Sequence, residues 1–166
     1  GNIEMQGWAP TLKGLIWAFY GGQEAGTAVG EALFGKINPS GKLPMTFEKK
    51  WEDNPAYNSY YDPDGDKHVE YTEGIFVGYR GYDKLKREVQ YPFGYGLSYT
   101  TFEQKMNDFS DNGDNVTFNV TVTNTGDVAG KDVVEVYFTP PYTNGGIEKA
   151  SVNLIDYAKT GEIAPG

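Results

Sequence analysis

The feature that most constrains the fold of this chain is a strict alternation of apolar and polar side chains around residue 120. The apolar members are Val116, Phe118, Val120 and Val122. Because successive side chains of a strand point to opposite faces, this spacing predicts a strand with one buried and one solvated face. After the turn-forming stretch 124–131, a second alternation over 134–138 predicts the return strand of an antiparallel hairpin. The last third of the chain is therefore predicted to form part of a β-sandwich.

The beginning of the chain has a different pattern of apolar residues. The run "GLIWAFY" at 14–20 is apolar without interruption, which predicts a strand buried on both faces. Apolar residues then recur at helical spacing up to Gly35, where a helix stop favours glycine. The turn "NPSG" leads into a short extended run at 42–48. Residues 1–48 are thus predicted to form the closing βα part of an α/β layer, with too few strands to complete a sheet alone.

The middle of the chain connects these two parts. Residues 49–68 are polar and lack any period, which predicts a long loop, and 74–83 are predicted to be extended. The fold class is therefore an α/β segment followed by an all-β part, with 49–92 as a linker and 93–166 as a sandwich. A seven-strand immunoglobulin-like sandwich needs about 100 residues, so the sandwich is predicted to be incomplete. The stretch "QYPFGYGLSYTTF" at 90–102 is either an aromatic platform for a sugar or base, or a packed seam between domains.

Composition excludes several partners. The 166 residues carry a formal net charge of -9, which repels phosphate backbones and anionic membrane surfaces. The chain has no cysteine, so disulfides and cysteine-held zinc are excluded. Its longest apolar run is far shorter than the roughly 20 residues of a membrane span, and no signal peptide is visible. We expect a soluble protein without nucleic-acid or membrane partners, in either the cytoplasm or a secreted location.

Four stretches, in this order, resemble glycoside hydrolase family 3, the β-glucosidase family. They are "FYGGQEAGTAVGEALFGKINPSGKLPMTF" at 19–47, "EYTEGIFVGYRGYD" at 70–83, "YPFGYGLSYTTF" at 91–102 and "VTVTNTGDVAGKDVVEVYF" at 120–138. The resemblance implies that residues 1–48 end an α/β-sandwich domain and that 93–166 are part of a fibronectin type III-like domain. It also implies that the stretch at 90–102 enters the latter domain, so that its rings pack the seam.

The same resemblance implies a function for the parent protein. Family members are retaining β-glucosidases, which need two carboxyl groups about 5 Å apart. In the family the nucleophilic aspartate lies in a separate barrel domain and the acid/base glutamate lies upstream of the first matching stretch. We therefore expect no catalytic residue and no cofactor in this chain. The partners that the resemblance implies are β-linked gluco-oligosaccharides or aryl glucosides and the remaining domains of the same protein. Because the sandwich is predicted to be incomplete, we also expect an exposed sheet edge, which would allow a dimer with a second copy.

Four residues are candidates for contacts with substrate: Glu70, Glu73, Arg80 and Tyr82. Either the two glutamates pair internally with the arginine, or they line the sugar entrance from a neighbouring domain. A second set of acids has the spacing of a calcium loop: Asp62, Asp64, Asp66 and Glu73. Since Lys67 stands where such a loop needs glycine, a solvated acidic loop is the alternative.

A different class of function is also open. The chain can be a carbohydrate-binding or protein-interaction module without catalysis. Exposed rings would then bind glycans directly, and the candidates are Tyr57, Tyr60, Tyr61 and Tyr82.

Overall fold

The computed structural model describes residues 3–62 and 64–166. Strands predominate in it and helices are few. Its α-helices are α1 (Ala25–Leu33) and α2 (Tyr79–Leu85), and short 3₁₀ turns lie at Ala9–Thr11, Gly22–Glu24 and Trp51–Asp53. Its strands are β1 (Phe47–Glu48), β2 (Val89–Tyr91), β3 (Phe102–Asp111), β4 (Val116–Asn124), β5 (Val133–Phe138) and β6 (Asn153–Lys159). In the described ranges, the helices lack the length and apolar character that a membrane-spanning helix needs.

The strands form three two-stranded sheets within the described residues, which pair β1 with β2, β3 with β4 and β5 with β6. In the longest sheet β3 and β4 are antiparallel, with Phe102 opposite Asn124 and Asn107 opposite Asn119. The register then shifts before Ser110, and Asp108 at the shift has a φ of 52°. An irregularity of this kind is a β-bulge, which bends the strand and increases its twist.

The chain divides into two compact units. One comprises residues 3–15, 43–95 and 136–156, and the other comprises 16–42, 96–135 and 157–166. We call them unit 1 and unit 2. In unit 1, the fully buried Phe47 packs edge-on against Tyr91, whose ring stacks on Tyr95. The rings at the start of the 90–102 stretch are thus used for packing within unit 1.

Unit 2 is organised around two asparagines. The fully buried Asn124 accepts hydrogen bonds from Thr100 Oγ1 at 2.6 Å and from Gly126 N at 3.1 Å. Its amide donates to the carbonyl oxygens of Val128 at 2.8 Å and Ile163 at 2.9 Å. This one side chain therefore joins the end of β4 to the turn after it and to the C-terminal segment.

Asn38 plays a similar part at the start of the "NPSG" segment at 38–41, which was predicted to be a turn and has no assigned turn in the structure. Its Oδ1 accepts hydrogen bonds from Ser98 Oγ at 2.9 Å and from the backbone N–H of Tyr99 at 2.8 Å. Its amide donates to the carbonyl of Ala129 at 3.0 Å. The hydroxyl of Tyr99 donates to the carbonyl of Ala32 at the end of α1, at 2.8 Å. Helix α1, this segment and the loops before β3 and after β4 are thereby held together within unit 2.

Helix α1 and strand β4 form where the spacing of apolar residues predicted a helix and a strand. Three other predictions are wrong. The run 14–20 is not a strand, and its residues other than the partly buried Trp17 are exposed, up to 95% for Tyr20. The predicted extended segment 74–83 turns into helix α2 from Tyr79 onward. The predicted hairpin does not form, because β4 pairs with β3 and β5 pairs with β6.

Candidate functional site

A cavity of about 310 Å³ lies in unit 1, and we call it the Glu73 cavity. The residues that matter for its chemistry are Thr46, Asn54, Glu73, Tyr79, Tyr82 and Phe93. Glu73 Oε2 is buried and has no hydrogen-bond partner among the described residues. A buried carboxylate oxygen without a donor is costly, because it loses water and gains nothing in exchange. Glu73 therefore brings to the cavity lining a carboxyl group with one oxygen that lacks a donor.

Other polar groups of this cavity already have partners. Thr46 Oγ1 accepts a hydrogen bond from the backbone of Phe93 at 3.3 Å, and Asn54 Oδ1 accepts one from Ala56 N at 3.0 Å. The hydroxyl of Tyr79 accepts from Leu154 N at 2.7 Å, and its ring lies 5.1 Å from that of Phe93. These bonds fix parts of the cavity wall, which presents aromatic surface and the carboxyl group of Glu73.

Tyr82 contributes a wall of the Glu73 cavity but not a free hydroxyl. It is buried, and its hydroxyl donates to Glu48 Oε2 at 3.0 Å. Burial raises the pKa of Tyr82 well above its ordinary value, and the negative charge of Glu48 raises it further. Tyr82 thus stays protonated and committed to Glu48. The sequence gives no sign of this pair, since the two residues lie 34 positions apart.

Arg80 lines a second cavity of unit 1, of about 330 Å³, which we call the Arg80 cavity. The internal pairing of Glu73 with Arg80 does not form, since no ion pair joins them within 4.0 Å in the described chain. Instead Arg80 Nε is buried without a hydrogen-bond partner, and the guanidinium lies 5.7 Å from the ring centre of Tyr79. Glu70 is exposed and lines neither cavity. Of the four predicted residues, the structure thus brings Glu73 and Tyr82 to one cavity and leaves Arg80 and Glu70 outside it.

The acidic turn that follows the long loop brings three carboxylates together. Oxygen atoms of Asp62, Asp64 and Asp66 all lie within 4.8 Å of one another, and Glu73 is not part of the group. Asp62 accepts hydrogen bonds from the N–H groups of Gly65 and Lys67, both at 2.8 Å. The Lys67 N–H is the main reason why the pKa of Asp62 is lowered. Backbone donors of the turn thus account for these contacts, and the calcium loop stays a prediction.

An aromatic cluster occupies residues 51–61 of unit 1. The ring of Trp51 lies edge-on to Tyr57 at 5.8 Å and to Tyr60 at 5.3 Å, and Tyr60 lies 5.0 Å from Tyr61. Tyr60 is 59% exposed and Tyr61 is 65% exposed, whereas Tyr82 is only 4% exposed. We call Trp51, Tyr57, Tyr60 and Tyr61 the aromatic cluster. Of the tyrosines considered for glycan contact, Tyr82 is therefore excluded by burial.

Comparison with known proteins identifies the family. Residues 1–79 match the model of the glycosyl hydrolase family 3 C-terminal domain. The chain is 44% identical over 167 aligned residues to the probable beta-glucosidase I of Emericella nidulans, covering 96% of this chain and 19% of that protein. It is 47% identical over 133 residues to the beta-glucosidase of Kluyveromyces marxianus, covering 80% of this chain and 16% of that protein. The chain belongs to glycoside hydrolase family 3.

Solved structures of glycoside hydrolase family 3 match the fold as well. Beta-glucosidase 3B from Thermotoga neapolitana, solved in complex with glucose, aligns with a TM-score of 0.92 and 40% identity over 99% of this chain and 23% of that one. The Kluyveromyces marxianus enzyme in complex with glucose aligns with a TM-score of 0.81 over 89% of this chain and 17% of that one. The chain spans about a fifth of the length of the first two curated relatives, at 19% of each.

Proposed function

We propose that this chain is part of a retaining β-glucosidase that hydrolyses terminal β-D-glucosyl residues of short oligosaccharides or aryl glucosides. The observation that carries the proposal is the 44% identity to a probable β-glucosidase over 96% of the chain. Such a length of similarity makes shared ancestry with a glycosidase the simplest explanation of the sequence. The alternation of residues and the aromatic content are by themselves compatible with other families.

Within that enzyme, the proposed role of residues 1–166 is structural support without catalytic carboxylates. A glycosidase acid needs a raised pKa so that it can hold its proton near neutrality. The pKa of Asp62 is lowered by backbone donors, and the pKa of Glu88 is lowered by Lys49, whose ammonium lies 2.6 Å from it. Both shifts run opposite to what a general acid requires.

The domain assignment is part of the same proposal. Residues 1–48 would end an α/β-sandwich domain, 49–92 would be the linker, and 93–166 would belong to a fibronectin type III-like domain. The hydrogen bonds of Asn38 with Ser98, Tyr99 and Ala129 support a buttressing role, because they tie the "NPSG" segment to the loops before β3 and after β4 of unit 2. The three two-stranded sheets leave edges open to further strands of the parent or to a second copy.

The test is the release of p-nitrophenol from p-nitrophenyl β-D-glucoside by the purified chain, alone and after mixing with the remainder of its parent protein. We expect no turnover alone and activity on mixing. Asn38→Ala should lower the activity recovered on mixing, whereas Asn119→Ala, at an exposed position of β4, should not. Turnover by the chain alone would refute the support role.

An open edge also predicts self-association. Light scattering coupled to size-exclusion chromatography should then show a dimer whose fraction grows with protein concentration. A monomer at every concentration would argue against edge pairing and leave the proposed enzyme activity unaffected.

The aromatic cluster supports a second candidate function, which is direct carbohydrate binding. Adjacent exposed rings offer faces on which sugars stack. Titration with cello-oligosaccharides should then saturate, and the double variant Tyr60→Ala, Tyr61→Ala should weaken binding between about twofold and tenfold. Tyr142→Ala removes an equally exposed ring outside the cluster and serves as the control. An absence of saturable binding would leave only the support role.

A further inference from the structure

Arg80 is a charged side chain whose partner is absent from the described residues. Its Nε is fully buried and unpaired, and the guanidinium takes part in no ion pair there. The central carbon of the guanidinium lies 5.7 Å from the centre of the Tyr79 ring. A partly buried guanidinium normally binds a carboxylate or a phosphate, because its five donors form a fixed fork that matches paired oxygens. We propose that the Arg80 cavity binds a carboxylate.

The other polar residues of the Arg80 cavity favour an anion. Lys149 lines it, and its ammonium is held by the carbonyl of Pro141 at 2.7 Å. The adjacent Glu148 does not cancel this charge, because its carboxylate pairs with Lys84 at 2.9 Å. Two cationic side chains therefore meet at one cavity of a protein whose net charge is -9. A local positive potential of this kind attracts an anion against the overall field.

The remaining walls determine which anion fits. Apolar surface comes from Ile75, Phe138, Pro140 and Ala150. Asn153 also lines the cavity, and its amide donates a hydrogen bond to the carbonyl of Ala150 at 3.0 Å. Apolar walls beside a single guanidinium suit an organic monocarboxylate, in which a carbon skeleton contacts the walls and two oxygens meet the fork. A phosphate would place further charged oxygens against apolar carbon, at a cost in desolvation.

Two sources can supply such a carboxylate. One is a free small molecule with an aryl or alkyl group, and the other is an aspartate or glutamate side chain from a further protein segment. Both would meet the same donors of Arg80. The inference does not rest on the proposed glycosidase activity, since it uses only the chemistry of this cavity.

The test is titration of the 166-residue chain with sodium benzoate, followed by calorimetry and by ¹⁵N–¹H spectra. Benzamide has the same shape without the charge, so it is the matched ligand control. The α-amide of acetyl-phenylalanyl-glutamic acid, whose only carboxylate is the glutamate side chain, supplies the side-chain source. We expect saturable binding of benzoate or of the dipeptide, and at least about tenfold weaker binding of benzamide, because a hydrogen-bonded charge contributes about 1.5–3 kcal/mol. Binding of the dipeptide alone would identify a protein side chain as the natural occupant.

Variants locate the site. Arg80→Gln should weaken binding at least about tenfold, and Arg80→Lys should weaken it less, since it keeps the charge and loses the fork. Lys149→Gln removes the second cationic side chain of the cavity and should also weaken binding. Because Lys149 is exposed, this change does not disturb packing. Lys131→Gln removes the same charge outside the cavity and should leave binding unchanged. Equal binding of benzamide, unchanged binding in Arg80→Gln, or no saturable binding of either carboxylate would overturn the inference.

Discussion

The side chain of Asn124 gives the sharpest test of how unit 2 is held together. It is 0% exposed and takes part in four hydrogen bonds, two as acceptor and two as donor. We predict that Asn124→Ala destabilises the protein by about 4 kcal/mol, since each bond contributes roughly 1 kcal/mol net. The carbonyls of Val128 and Ile163 would remain in place without their donor, which adds a desolvation cost to the lost bonds.

The measurement is the free energy of unfolding from urea denaturation followed by tryptophan fluorescence. Asn119→Ala is the matched control, because Asn119 lies on the same strand and is exposed, with a single bond from its amide to Asp108 at 2.9 Å. We expect that control to cost no more than about 0.5 kcal/mol. A difference between the two variants below about 1 kcal/mol would mean that water or a shifted backbone replaces the bonds of Asn124, and the reasoning would fail.

Three further predictions concern unit 1. A methyl group at Gly81 would meet the carbonyl of Phe76 and the ring of Pro55, so Gly81→Ala should cost about 1–3 kcal/mol in urea denaturation, whereas Gly161→Ala enters open space and should not. Tyr82→Phe removes the bond to Glu48 and should cost about 1 kcal/mol at neutral pH. The pKa of Tyr82 is raised in the folded protein, so the contribution of this residue to the free energy of unfolding is complete below about pH 10 and is lost as pH rises above that value. Tyr82→Phe should therefore lose less stability at alkaline pH than the unchanged protein. Lys49→Gln should raise the pKa of Glu88 towards its ordinary value, and an unchanged NMR titration curve would contradict the assigned ion pair.

Local periodicity predicted individual elements but not their partners. Residues 25–33 form a helix and 116–124 form a strand, as their apolar spacing indicates. Alternation specifies which face of a strand is buried, and it leaves the neighbouring strand open. The residues after β4 decide the pairing: Asn124 binds the backbone of Gly126 and Val128 and so turns the chain away from β4. Strand β3 then occupies the place that the hairpin prediction gave to β5.

Helix α2 shows tertiary packing overriding local preference. Its sequence "YRGYDKL" contains a glycine and two aromatic residues, all of which have low helix propensity. Gly81 brings the helix against Pro55, and Tyr82 inserts its ring and bonds to Glu48. These contacts are distant in sequence, and a reading of local spacing therefore favours an extended segment. The run 14–20 fails for the opposite reason, since no described strand pairs with it and its apolar character alone does not make a sheet.

The candidate site was predictable in its residues but not in its arrangement. Glu73 and Arg80 are seven positions apart, and their opposite charges suggest an internal pair. No such pair forms: Gly78, with a φ of 60°, lies between the two residues just before α2, and each charged side chain lines a different cavity. Each keeps one buried atom without a partner, at a cost of about 1–3 kcal/mol apiece. A carboxylate bound as proposed would give Arg80 a partner, and a donor group bound at Glu73 would do the same for its carboxylate, so that each would recover part of that free energy.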